Sequence, residues 1–162
     1  VFGIKKAKML YFSDDDVNCN PTILILMHNV MTRSLKESHA SESPSSTLSS
    51  YGERLAHTYL RRHFGHSTFR TGQLEIVESI TRLNDTFVVM PTGGGKSLCY
   101  QLPALMLDGT ALVISPLIAL MQDQVRSLEK AGIPACFINS ALQPEEIRRR
   151  LSEAREGKYK LV

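Results

Sequence analysis

The chain has 162 residues, 43% of them hydrophobic and 22% charged, which are ordinary values for about one globular domain with a real core. A net charge of only +3 does not by itself announce a nucleic-acid partner, and the longest apolar stretch near the start, Ile23 to Met27, is far too short to cross a membrane. The three cysteines, Cys19, Cys99 and Cys136, form no disulfide framework and no Cys-x-x-Cys pair, which points to a reducing, cytoplasmic compartment.

Residues 1–50 differ in character from the rest. Val1 to Tyr11 is weakly amphipathic, and Asp14 to Asp16 is an acidic run that reads as a solvated turn more readily than as a metal site. Pro21 to Met31 leaves helix and strand both open. Ser41 to Ser50 is rich in serine and proline, so it buries little surface and reads as a linker. The expectation is a poorly ordered extension over 1–50, with Met31 as a candidate true start. The chain opens on Val1 and closes on Tyr159 to Val162, which resembles an unfinished strand, so a fragment of a longer protein is expected.

From Tyr51 the pattern turns regular. Leu55, Tyr59 and Leu60 lie at helical spacing, and Gly65 stops that helix. Thr71 is placed to cap the next, whose apolar stripe is Leu74, Ile76, Val77, Ile80 and Leu83. Asn84-Asp85 turns the chain into a strand, Phe87 to Met90. A helix follows from Ser97 to Met106, with a break expected at Pro103 and an end at Gly109. Ala111 to Ile114 is a second strand. Ser115-Pro116 caps a helix that buries Leu117, Leu120, Met121, Val125 and Leu128. Ala135 to Ile138 reads as a third strand, Pro144 starts a further helix, and Tyr159 to Val162 begins a fourth strand. Alternating helices and continuously apolar strands predict an α/β fold with a parallel sheet covered by helices on both faces. The loop after the first of these strands, Ser115 and Asn139 all follow strand ends and should share one edge, where ligands of such sheets bind.

The stretch FVVMPTGGGKSLCY, Phe87 to Tyr100, carries the chemistry. Thr92, Gly93, Gly94 and Gly95 form a turn whose backbone approaches a ligand closely, and Lys96-Ser97 opens a helix at its positive end. Lys96 would reach the β- and γ-phosphates of a nucleotide, and the Ser97 hydroxyl would hold Mg²⁺. The general pattern G-x-x-x-x-G-K-[ST] is met from Gly95 onward, but Met90 stands where its first glycine belongs. The strand–turn–helix context is the confirming feature.

Several stretches resemble RecQ-type DNA helicases of superfamily 2. Phe64 to Gln73, FGHSTFRTGQ, is similar to that family's adenine-recognition motif. VVMPTGGGKSLCYQLPAL, Val88 to Leu105, matches its phosphate loop, Met90 included, and SPLIALMQDQV, Ser115 to Val125, resembles the motif that follows. The likeness covers about Tyr51 to Val162. It implies a RecA-like domain that binds ATP and Mg²⁺, and DNA as partner. It implies that Gln73 bonds the adenine edge, that Arg70 and His66 lie against the adenine, and that Lys96 is the catalytic lysine. It also implies that the segment holding Ser115, Pro116, Gln122 and Gln124 faces single-stranded DNA, with 3′ to 5′ movement and roles in DNA repair and recombination. Thr71 replaces the family's usual proline. The family's Asp-Glu-x-His motif and its later motifs do not occur in these residues.

Plainer readings stand beside these. His63 and His66, spaced i, i+3, are more often packing residues than a metal pair. Arg148 to Arg150, beside Glu145, Glu146 and Glu153, is more often a solvated face than a phosphate site, and Gln122 and Gln124 are open to an exposed-helix reading. The expectation is the N-terminal ATP-binding part of a DNA helicase, a fragment that binds nucleotide weakly at best and does not itself hydrolyse it. The alternatives are a non-catalytic nucleotide- or DNA-binding fragment and an unrelated phosphate-loop kinase or transferase. Location is expected to be cytoplasmic, or nuclear in a eukaryote.

Overall fold

Helix α1 (Ser45–Phe64) starts inside the serine-rich stretch expected to be a linker. The computed structural model describes residues 6–12, 23–28 and 45–162, apart from 92 and 116. The expectations for Asp14 to Asp16, Cys19, Met31, Thr92 and Pro116 lie outside the described residues.

Ala56 and Leu60 stand one turn apart on α1 and are buried. They pack against Val77 of α2 (Gln73–Thr81) and Leu98 and Leu102 of α3 (Lys96–Met106). Burial of a side chain the size of Leu60 stabilises by about 1.5–3 kcal/mol, so this contact orders α1 against the domain. Gly65, at φ 68, ends α1 as its sequence position predicts. Thr71 does not cap α2. Gly72 takes the N-cap position at φ 80, and the Gln73 side-chain oxygen accepts the Arg70 N–H instead.

A second cluster joins Ile80 to Val88 of β3 (Thr86–Val89) and Ala111 of β4 (Thr110–Ile114). Cys99, Tyr100 and Ala104 of α3 and Leu128 of α4 (Ile118–Lys130) complete it. Pro103 does not break α3. Its ring removes one donor, yet the residue is fully buried and the helix closes past it, with the Leu107 N–H on the Pro103 carbonyl at 2.9 Å. Packing of that turn outweighs the missing bond. Ser115 does not cap α4 either; the helix begins later, at Ile118, while the Ser115 hydroxyl accepts the Leu117 N–H at 3.3 Å. Leu128 is the buried residue of α4, Leu120, Met121 and Val125 are half-buried, and Leu117 is exposed. Pro144 opens the last helix, α5 (Pro144–Arg155), as expected.

The sheet departs from the all-parallel expectation. Its order is β3-β1-β2-β4, with β1 (Lys6–Phe12) and β2 (Ile23–His28) forming an antiparallel pair between the other two. β1 is parallel to β3 and β2 antiparallel to β4, so β3 and β4 run in the same direction without touching. A run of apolar residues marks a strand, not which strand lies beside it. The strands expected at Ala135 to Ile138 and Tyr159 to Val162 shrink to single parallel bridges, Ala111 to Leu161 and Ala135 to Leu161. Among the described residues, helices do not cover both faces of β3 and β4. Val88 and Ala111 point into the core, while the alternate residues Phe87, Val89, Leu112 and Ile114 are exposed by 63, 52, 40 and 53%.

Candidate nucleotide-binding site

The site grows out of the carboxyl end of β3. Met90, the residue that departs from the general pattern, is buried, and the Cys99 thiol lies 3.9 Å from its sulfur. A side chain that drops into the core beneath the loop does not obstruct a ligand above it, so glycine is not required there. The turn itself closes through the Gly94 N–H on the Pro91 carbonyl at 3.0 Å. Gly93 and Gly95 take φ 80 and 81, where a side chain costs roughly 1–2 kcal/mol. Helix α3 then starts at Lys96, and the first N–H groups of a helix lack partners within it. Backbone donors, the positive end of the helix dipole and the Lys96 ammonium together suit an anionic phosphate chain.

Two upstream residues brace this loop. The Arg70 guanidinium donates to the Gly93 carbonyl at 2.5 Å. The Gln73 carboxamide donates to the Gly95 carbonyl at 3.1 Å and reaches the Gly94 carbonyl at 3.4 Å. Gln73 is 3% exposed, so its amide is committed to the loop and to the Arg70 N–H. Space is tight as well: a Cβ on Gly95 would stand 2.5 Å from the Gln73 amide nitrogen, and one on Gly94 would stand 3.0 Å from the Pro91 carbonyl. The motif read as facing the adenine is therefore docked on the phosphate loop. His66 is exposed nearby in sequence, and the His63 ring packs 5.5 Å from that of Tyr59.

On the far side, the loop meets α4. The Gln124 amide donates to the Ser97 hydroxyl at 3.1 Å, and the Gln124 side-chain oxygen accepts from Tyr100 at 3.1 Å and from Gln101 at 2.8 Å. Gln124, expected to face DNA, is thus turned inward. Its position on α4 aims it at α3, because helical residues cover the turn beside their own Cα. Gln122 is half-buried in a cleft with Arg126, Arg149, Arg150 and Tyr159. Tyr100 and Gln101 were not anticipated as site residues. The available signal was Gln101 itself, a carboxamide inside the apolar run LCYQLPAL and 6% exposed. Burial pushes the Cys99 thiol up to about 11 and raises Tyr100 above its ordinary value, so both stay neutral here. Asn139 turns its side-chain oxygen onto the Ala141 N–H at 3.0 Å.

A strand, a hydrogen-bonded glycine turn and a helix opening on Lys96-Ser97 define a phosphate-loop nucleotide-binding domain. The profile of the DEAD/DEAH box helicase family matches residues 70–162, more than half of the chain. The chain belongs to that family, whose domain is a RecA-like phosphate-loop fold. It is 53% identical over 107 residues to the ATP-dependent DNA helicase RecQ of Bacillus subtilis (strain 168), covering 65% of this chain and 18% of that protein. It is 45% identical over 103 residues to the protein of the same name from Synechocystis sp. (strain ATCC 27184 / PCC 6803 / Kazusa), covering 64% and 22%. With ATP-dependent DNA helicase Q1 of Rattus norvegicus it shares 53% over 89 residues, covering 55% and 14%. The RecQ resemblance is borne out by these relatives, of whose length the chain spans about a fifth or less.

Proposed function

We propose that this chain is the ATP-binding portion of a RecQ-type DNA helicase. The observation that carries the reading is the docking of Arg70 and Gln73 on the carbonyls of Gly93, Gly94 and Gly95, which joins the adenine-side motif to the phosphate-side motif by direct hydrogen bonds. In this reading Gly93 to Gly95 and Lys96 hold the phosphates, with Thr92 beside them, and His66, Arg70 and Gln73 lie on the adenine side. Ser97 holds Mg²⁺, which when bound neutralises charge on the phosphoryl oxygens. The parallel sheet with two helical layers belongs to the same reading. β3, β4 and the chain at Leu161 run in one direction, and Phe87, Val89, Leu112 and Ile114 are the residues a second layer would cover.

DNA is the partner in this reading, met by the segment from Ser115 to Gln122, with movement from 3′ to 5′ in the whole helicase and a cytoplasmic or nuclear location. These residues by themselves bind nucleotide without turning it over. Hydrolysis requires an acidic group to help hold the metal and a group to position water, and no Asp-Glu-x-His occurs among them.

Titration with a fluorescent ATP analogue tests the reading. Saturable binding in Mg²⁺ is expected, weakened about tenfold to a hundredfold by Lys96→Ala, since charge-assisted bonds contribute about 1.5–3 kcal/mol each. ATP should compete better than GTP. Absence of saturable binding, or indifference to Lys96→Ala, would overturn it.

A further inference from the structure

We propose that Gln124 is a positioning residue that ties α4 to the metal-side hydroxyl of the phosphate loop, so that the seating of α4 controls how well Ser97 serves Mg²⁺. The inference rests on the nucleotide reading of the loop.

The Gln124 side-chain oxygen accepts from the Tyr100 O–H at 3.1 Å and from Gln101 Nε2 at 2.8 Å. Tyr100 and Gln101 are 4 and 6% exposed, so water is not a ready substitute for Gln124 as their partner. With its oxygen held, Gln124 presents Nε2 to the Ser97 hydroxyl at 3.1 Å. A serine hydroxyl has two lone pairs and one proton. The Gln124 bond occupies one lone pair and restricts the rotation of the hydroxyl, whose other lone pair would be available to a cation. Ser97 and Gln124 belong to different helices, α3 and α4, separated by β4. A shift of α4 relative to α3 must therefore stretch the Gln124–Ser97 bond or turn the hydroxyl. On the outer side of α4, Ile118 is 42% exposed and Asp123 and Arg126 pair with each other across the surface.

The test compares the affinity of the chain for a fluorescent adenine nucleotide in EDTA and in excess Mg²⁺. The Mg²⁺ enhancement, the ratio of the two affinities, should fall about fivefold in Gln124→Met, the scale of one hydrogen bond. Methionine keeps the buried stem and removes both polar ends. A purely structural role would lower both affinities together and leave the ratio unchanged, which would overturn the proposal. A second measurement needs no ligand: urea unfolding of Ser97→Ala, Gln124→Met and the double variant. Non-additive midpoints are expected if the two side chains act on each other, and additive midpoints would overturn the link. Failure of the unsubstituted chain to bind nucleotide under either condition would overturn the nucleotide reading and this proposal with it. A wild-type enhancement that survives in Gln124→Met would overturn this proposal alone.

Discussion

Two polar networks in this molecule use similar bonds in opposite settings. Around the phosphate loop, Gln73, Gln101 and Gln124 reach across 21 to 27 residues of sequence to their partners, and Gln73 and Gln101 are buried. Along α5, Arg148, Arg149 and Arg150 pair with Glu145, Glu146 and Glu153 at helical i, i+3 and i, i+4 spacing. The first network holds separate elements in register. The second mostly decorates one helix, apart from Arg150, which also donates to the Phe137 carbonyl at 2.6 Å and lies 4.6 Å from that ring. Losing a partner in a buried network strands a group that water cannot reach, whereas an exposed ion pair exchanges its partner for solvent.

The largest effect should come from crowding the first network. Gly95→Ala meets Gln73 at 2.5 Å in a backbone conformation of φ 81. A loss of about 2–5 kcal/mol in urea unfolding is expected, the sum of left-handed strain and a broken buried bond, together with loss of nucleotide binding. A stability equal to wild type would show that the loop gives way easily and would remove the contrast between the networks.

Gln73→Ala should come next. It leaves the Arg70 N–H and the Gly95 carbonyl without their partner, at about 1–3 kcal/mol by the same unfolding measurement. Because Gln73 braces the loop and lies on the adenine side in the proposed reading, nucleotide affinity should fall, more for ATP than for GTP. An equal loss for both would confine Gln73 to bracing the loop.

On α5 the effects should be smaller and should depend on pH. The Arg149 guanidinium, and then that of Arg150, hydrogen-bond Glu146 and hold its carboxyl down at about 2. A carboxyl lowered on folding stabilises above its ordinary value near 4.5, and that contribution disappears as pH falls through about 2. An NMR titration of the Glu146 side-chain carbon should show that low midpoint, and Arg149→Gln should move it upward. An unchanged midpoint in the variant would assign the shift to Arg150 alone.

Arg148→Ala should be the smallest change. Its bond to Glu145 joins side chains that are 69 and 77% exposed, so the thermal midpoint should stay within error of wild type at neutral pH. A clear drop would mean that the α5 network acts as a unit and not as separate surface pairs.

Local features were legible from residue order. Gly65, Gly109, Gly132 and Gly157 all take positive φ at the ends where stops were expected, since glycine alone adopts that region without strain. Pro144 opens α5, and Cys99 and Cys136 are buried as read. Pro103, Thr71 and Ser115 misled for one reason: each has a local preference that burial or a nearby hydrogen bond overrode. The hairpin of β1 and β2 was not foreseen as part of the sheet, because an apolar strand carries no mark of its neighbours.

The amino-acid order alone determined the phosphate loop, the helix that follows it and the family likeness, because backbone freedom at glycine and helix-start chemistry act within a few residues. The tertiary structure decided the strand order, the exposure of Phe87, Val89, Leu112 and Ile114, and the direction of Gln73 and Gln124. A carboxamide can bond in any direction its helix turns it. Only the packing of α2 and α4 against α3 selected the loop carbonyls for one and the Ser97 hydroxyl for the other.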